Sequence, residues 1–445
     1  MSFSAYSQYK DSGVEWLGKV PAEWDCGPIR RGIEEIAERN WDEQSSDYLS
    51  LVVGRGVIPY AEKGDVGNKK PEDLSKCKIV ARGDFVLNSM NFGIGAFGRS
   101  SYDGVCSPVY VVMRAKPGEL LPEIFAYLMQ ISALQRYAQS FGNGILAHRA
   151  AIGWDELKGL RIAYPPIPDQ RVIAAFLDRE TAKIDAAVAA QQRLIALLGE
   201  KRAATISQAV TKGLVAEVPM KDSGIEWLGQ IPAHWGSARM RHLVAEPLAY
   251  GANEPADQDN PDNPRYVRIT DMKSDGSLRA TTFRSLPEAL AAPYRLSVGD
   301  ILLARSGATV GKSALVRNDW GACCHAGYLI RCRPDKTKVI PAYLFAYLQS
   351  DAFWAYIRQA TIQSTIQNVS AERYSDLPIP LPSKNEQSLI LEALAPSLDL
   401  MARAQQRASV AIALLKERRS ALISAAVTGK IDVRGEVAAQ EQEAA

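Results

Sequence analysis

Residues 9–24 read YKDSGVEWLGKVPAEW, and residues 220–235 read MKDSGIEWLGQIPAHW. Eleven of the sixteen positions are identical, and the pairs Val14/Ile225 and Val20/Ile231 keep size and apolarity. Chance does not produce this, so the fold must accommodate two copies of one plan. Further landmarks recur in the same order at drifting offsets. DYLSLVV (47–53) answers RYVRITD (265–271) at 218, GDFVLNS (83–89) answers GDILLAR (299–305) at 216, and FAYL at 125 recurs at 345, an offset of 220. LLGEKRAATISQAVTKG (197–213) then matches LLKERRSALISAAVTGK (414–430) at 217. Drift of this kind marks insertions and deletions, which surface loops tolerate and packed elements do not. The scaffold repeats and the loops diverge.

Each half reads as a mixed globular part followed by one long helix, so the fold class is mixed α/β. Short Val-, Ile- and Tyr-rich runs such as SPVYVVMRA and GYLIRCR, punctuated by Gly, Pro and Asn, read as strands. Pro122 and Pro341 sit where proline favours the first turn of a helix. The long helices follow the proline clusters YPPIP and LPIPLPS and run over residues 169–210 and 385–427, interrupted only by Pro396. Along the first, Ile173, Ile184, Ile195 and Ile206 recur every eleven residues; the second carries Ile390, Met401, Ile412 and Ile423 at the same spacing. Eleven residues in three turns is close to a straight helix, so each stripe stays on one face and predicts that the two helices pack on each other.

Composition narrows the function. The net charge is +2 and summed by segment never exceeds +2, so no part carries the basic footprint of a stand-alone nucleic-acid binder. No run of eighteen apolar residues and no leader-like N-terminus occurs, which places the chain in the cytoplasm as an expectation. Six cysteines without paired C-x-x-C spacing argue against a disulfide scaffold or a zinc site, and no metal is expected. GIGAFG at 93–98 has Gly104 and Pro108 where a phosphate-cradling helix would begin, and SGATVGKS at 306–313 has Ser306 where a P-loop requires glycine. Both suit tight turns between strands. Asp262, Asp271 and Lys273 have the spacing of a metal-dependent nuclease core, but the first half has no equivalent lysine. The four histidines are too scattered for a triad. A binding protein without catalytic residues is the expectation.

The strap KDSG-(V/I)-EWLG, the GDxLL element, the proline-rich entry into a long helix and the exit LISAAVTGKIDVR together resemble the specificity subunit of type I restriction-modification enzymes. The resemblance covers nearly the whole chain, twice. It implies two target recognition domains, residues 1–168 and 213–382, separated by two long antiparallel helices, residues 169–212 and 383–430, with a flexible tail over 431–445. It also implies an internal two-fold pseudo-repeat, and double-stranded DNA as ligand. Expected partners are modification (methyltransferase) subunits, two of them, and restriction subunits that translocate and cleave DNA. S-adenosylmethionine is expected on the methyltransferase and no cofactor on this chain.

Because asparagine can pair with adenine and arginine with guanine, the candidate DNA readers of the first half are Asn88, Asn91, Arg99, Asn143, His148 and Arg149. Those of the second half are Arg268, Lys273, Arg305, Ser306, Thr309, Lys312, Gln363, Ser364, Gln367 and Asn368. Loops that differ between halves predict a non-palindromic bipartite site. A structural coiled-coil scaffold without DNA, and a nuclease using Asp262, Asp271 and Lys273, are the alternatives.

Overall fold

A computed structural model describes residues 3–65, 69–90, 96–141, 152–215, 217–273, 276–361 and 368–436. The chain divides into two compact units. Unit 1 comprises Met1–Gln191 with Val410–Ala445, and unit 2 comprises Gln192–Ser409. The division falls inside the two long helices, Ile167–Lys212 and Lys384–Val427, rather than at their ends. The helix limits lie within about two residues of those read from the proline clusters. At ~1.5 Å per residue the first is about 69 Å long.

Each unit is built on a four-stranded antiparallel sheet. In unit 1 the order is Ile33–Glu35, Tyr110–Ala115, Phe85–Asn88 and Phe97–Arg99. In unit 2 it is Ala249–Tyr250, Leu329–Cys332, Ile301–Ala304 and Ser313–Leu315. The turn expected within SGATVGKS is there, joining Ile301–Ala304 to Ser313–Leu315. A second, two-stranded ribbon closes each unit, pairing Asp25–Pro28 with Arg161–Tyr164 and Gly236–Arg239 with Pro378–Leu381.

The shared GD dipeptide has a specific task. Gly83 and Gly299 both take φ of +96°, a conformation that costs glycine little, and each aims the next aspartate inward. Asp84 accepts two parallel bonds from Arg114 at 2.6 and 2.8 Å and one from the Ala81 N–H at 2.8 Å. Asp300 does the same with Arg333, at 2.8 and 2.8 Å, and with the Ser297 N–H at 2.8 Å. Both carboxylates are buried. A planar guanidinium matches such a buried acid with two bonds where an ammonium would supply a point charge.

A second shared device pins each long helix to its sheet unit. Gln170 is fully buried, accepts from the Leu121 N–H at 2.7 Å and donates to Pro165 O at 2.8 Å. Gln387 accepts from the Ile340 N–H at 2.8 Å and donates to Pro382 O at 3.0 Å. These contacts correct one landmark. Leu121 corresponds to Ile340 and the helix Pro122–Leu128 to Pro341–Tyr347, an offset of 219, so the FAYL identity at 220 is one residue out of structural register.

The expected helix pairing is present within each unit. In unit 1, Ile173, Ile184 and Ile423 share one core with Trp24, Phe85 and Phe125, and Arg419 Nε donates to Asp185 Oδ1 at 3.0 Å. In unit 2, Ile206 and Ile390 share a core with Trp235, and Gln405 Nε2 donates to Ile195 O at 3.3 Å. In both, an early part of one long helix meets a late part of the other, so the pair is antiparallel. Met401 is also buried. Ile195 and Ile412 depart from the expectation, being only half-buried and outside both cores.

Each strap is a hairpin, Tyr9–Asp11 with Lys19–Pro21 and Met220–Asp222 with Gln230–Pro232, whose Trp24 or Trp235 is buried. A lysine at or just past the end of each long helix ties it to a strap: Lys430 Nζ donates to Leu17 O at 3.1 Å and to Lys19 O, and Lys212 Nζ donates to Gln230 O. In unit 1 this joins the end of the chain to its beginning, helped by the Asp432 N–H bonding to Ser4 O at 2.8 Å. Val433 is fully buried, so the tail expected from residue 431 is packed over its first residues.

Candidate nucleic-acid interface

In unit 2 the strand Ile301–Ala304 ends at Arg305, whose backbone is held on both sides. Its N–H donates to Tyr328 O at 3.1 Å and its carbonyl accepts from the Val369 N–H at 2.8 Å. The guanidinium lies over the Tyr250 ring at 4.7 Å, and the Tyr250 hydroxyl accepts from the Ala371 N–H at 3.0 Å. Arg305 Nε is buried, yet no described group accepts from it. Buried donors are nearly always partnered; the Nε atoms of Arg265 and Arg331 are unpartnered too, but those guanidiniums bond elsewhere, Arg265 through Nη2 to Arg279 O and Arg331 through Nη1 to Arg295 O. Tyr328 is 66 % exposed beside it and borders a cavity of about 590 Å³ lined also by Asn253, Tyr266, Arg268 and Thr270.

The other candidates of unit 2 divide by whether their polar groups are already occupied. Ser306 and Asn368 form a β-bridge, and Thr309 Oγ1 donates to Ser306 O at 3.2 Å. Arg268 donates to Asp271 through Nε at 3.1 Å and Nη2 at 2.9 Å, and again to Thr282 O at 2.7 Å. Lys312 Nζ donates to Met272 O at 2.5 Å, and burial, with the nearby Arg279 charge, lowers its pKa from the ordinary lysine value. Lys273 is exposed. Gln363, Ser364 and Gln367 lie outside the described residues.

In unit 1 the matching backbone frame carries different side chains. Ser89 stands where Arg305 does, and its carbonyl accepts from the Ile152 N–H at 3.1 Å as that of Arg305 accepts from Val369. By strand register, Tyr250 falls opposite Ala37 and Tyr328 opposite Val109. Asn88 Oδ1 accepts from the Met90 N–H at 3.1 Å, and Arg99 is paired with Glu123 at 2.8 Å. Asn91, Asn143, His148 and Arg149 lie outside the described residues. Trp41, in the polar run ERNWDEQ, is 61 % exposed with the Arg39 guanidinium 5.7 Å from its ring.

The geometry argues against a nuclease built on Asp262, Asp271 and Lys273. Asp271 is fully buried with both oxygens bonded to Arg268, while Asp262 lies in an exposed loop. Among the described residues no group of three or more His, Cys, Asp or Glu side chains is placed to hold a metal ion, and no helix is long and apolar enough to cross a membrane. All six cysteines are free thiols, and burial raises the pKa of each. His325 is buried against Tyr294 O at 3.0 Å and Ala249 O at 3.4 Å, with a pKa lowered by that burial.

Paired supports that repeat, carrying side-chain clusters that do not, define a duplicated mixed α/β scaffold with one variable cluster per copy. The chain belongs to the type I restriction modification DNA specificity domain family, whose pattern matches residues 32–194 and 257–407. It is similar to the type I restriction enzyme EcoBI specificity subunit of Escherichia coli, 24 % identical over 284 residues, which are 62 % of this chain and 59 % of that protein. It is also similar to the type I restriction enzyme MjaVIII specificity subunit of Methanocaldococcus jannaschii, 21 % identical over 429 residues, 94 % of this chain and 95 % of that one. A chain of a solved type I R-M system structure, concerned with complex assembly and conformational transition, shares the fold with a TM-score of 0.64 at 19 % identity. That match covers 92 % of this chain and 98 % of the other.

Proposed function

We propose that this chain is the DNA sequence-specificity subunit of a type I restriction-modification complex. Each unit engages one part of a bipartite, non-palindromic site, and the chain positions methyltransferase and restriction subunits without catalysing a step itself. S-adenosylmethionine is bound by the methyltransferase partner, two copies of which use the duplicated supports, and the complex works in the cytoplasm. The observation that carries this reading is the contrast at one backbone frame: Ser89 with Ile152 in unit 1, Arg305 with Val369 in unit 2. Shared backbone with unshared side chains is what a protein needs to hold two different half-sites in one manner, because backbone supports fix position and side chains at base edges carry sequence.

Mapping methylated adenines in cells that carry this chain with its methyltransferase partner tests the proposal. Two unlike half-sites at a fixed gap are expected; a palindromic site, or no sequence-dependent methylation, refutes it. The stripe repeats every eleven residues, so deleting 184–194 together with 401–411 removes three turns from both long helices in phase. The gap should shorten while both half-sites persist. A gel shift in which the assembled complex ignores DNA would favour the scaffold alternative.

A further inference from the structure

We infer that Arg305 reads a guanine in the half-site of unit 2, and that Tyr250 positions it. This rests on the reading above and deepens it. Arg114, Arg268 and Arg333 each place their fork on a buried aspartate. Arg305 has no acid: its guanidinium lies over the Tyr250 ring at 4.7 Å, its Nε is buried, and no described group accepts from it. Leaving a buried donor unpaired costs stability, an arrangement that makes sense where a ligand supplies the acceptor.

The surroundings hold the backbone beneath that fork and the ring beside it. The backbone of Arg305 is pinned by Tyr328 O and the Val369 N–H, and the Tyr250 ring by the Ala371 N–H. A guanidinium held over a ring keeps its planar fork, which can make two parallel bonds to one acceptor pair. In the major groove, the O6 and N7 atoms of guanine form such a pair. A phosphate oxygen pair could also accept them, but phosphate contacts carry no sequence information, and this separates the two sources experimentally. Unit 1, with Ser89, Ala37 and Val109 at the corresponding positions, has no counterpart, so the guanine belongs to one half-site only.

The test uses the complete complex of this chain with its methyltransferase partner, assayed for binding and adenine methylation on DNA randomised one position at a time. Arg305→Lys keeps the charge and removes the fork. Discrimination at one guanine of unit 2's half-site should fall by roughly 5- to 150-fold, with preferences in the other half-site unchanged. Those unchanged preferences report that the complex is folded. Tyr250→Phe, which keeps the ring but loses the Ala371 bond, should blur the guanine preference less than Tyr250→Leu, which loses both. If Arg305→Lys weakens every sequence alike, or leaves all preferences intact, base reading by Arg305 is overturned. A guanine preference that survives Tyr250→Leu overturns the positioning role. Absence of any preference in the wild-type complex overturns both this inference and the proposed function.

Discussion

The niche between the long helices and the first helix of each sheet unit is closed in unit 1 and open in unit 2. In unit 1, Tyr127 reaches across it, donating to Asp178 Oδ1 at 2.6 Å with Thr181 Oγ1 at 3.4 Å, and Arg419 joins Asp185 and Gln130 at 3.0 Å each. At the corresponding register unit 2 has Ala346 for Tyr127, Ala395 for Asp178, Leu398 for Thr181 and Ala402 for Asp185. All four line a groove of about 810 Å³, floored by Ile206, Leu391 and Leu394. The loss is coordinated: where the phenol has gone, so have the acid and hydroxyl that held it, so no buried polar group is stranded. Duplication kept the supports that every copy needs, the Arg–Asp pair and the buried glutamine, and let this niche diverge.

The strongest way to break that distinction is to attack a shared support. Arg114→Ala in unit 1 and Arg333→Ala in unit 2 each take a partly exposed guanidinium from a buried carboxylate, and leaving such a charged acceptor unpaired costs about 3 kcal/mol. Hydrogen exchange resolved by unit should show comparable losses of protection in the two variants. A large loss in one unit and none in the other would mean that the repeated geometry is not a repeated energetic device.

The diverged niche should respond unequally. Tyr127→Ala removes an aromatic ring and two polar contacts from unit 1, at about 3 kcal/mol, while Tyr127→Phe removes only the hydroxyl's bonds, at about 1 kcal/mol. Burial, then the hydrogen bond to Asp178, pushes the Tyr127 phenol up to about 12, so it stays a neutral donor across the working pH range. In unit 2, Ala346→Leu adds apolar surface to an open groove and should raise stability by up to ~1 kcal/mol, read as a rise in melting temperature. A loss there would show that the groove is already closely packed.

Much of this was legible in the sequence, for identifiable reasons. Proline clusters delimit the long helices because proline cannot continue one. The spacing of eleven marks a straight face, and six of its eight residues are buried: Ile173, Ile184, Ile206, Ile390, Met401 and Ile423. FAYL misled because identical letters need not share a register; Phe345 stands where unit 1 has Ala126. The candidate site was harder. Arg268 and Arg305 both follow strands and look alike as residue types, but Arg268 has Asp271 three residues later in a tight turn, whereas Arg305 has no such neighbour. That acid is visible in RITD, so the occupied arginine could have been set apart; the Tyr250 stack, made across 55 positions of sequence, could not.

The smallest expected difference concerns acid. Cys106 of unit 1 corresponds to His325 of unit 2, each the last residue of a buried strand. Burial pushes the Cys106 thiol up to about 12, so it does not change charge near neutrality. Burial also lowers the pKa of His325 below its ordinary value of 6.5, partly opposed by the Tyr294 and Ala249 carbonyls. A histidine whose folded pKa is depressed binds fewer protons folded than unfolded. Its stabilisation is therefore complete above about pH 6.5 and declines as pH falls through that value toward the folded pKa. Carboxylates titrate in both units, so the isolating measurement compares wild type with His325→Asn between pH 7.5 and 5.5. The wild type should lose unit 2 stability more steeply than the variant, with no difference between them in unit 1. Equal slopes in unit 2 would place its acid sensitivity elsewhere and leave the two buried positions equivalent.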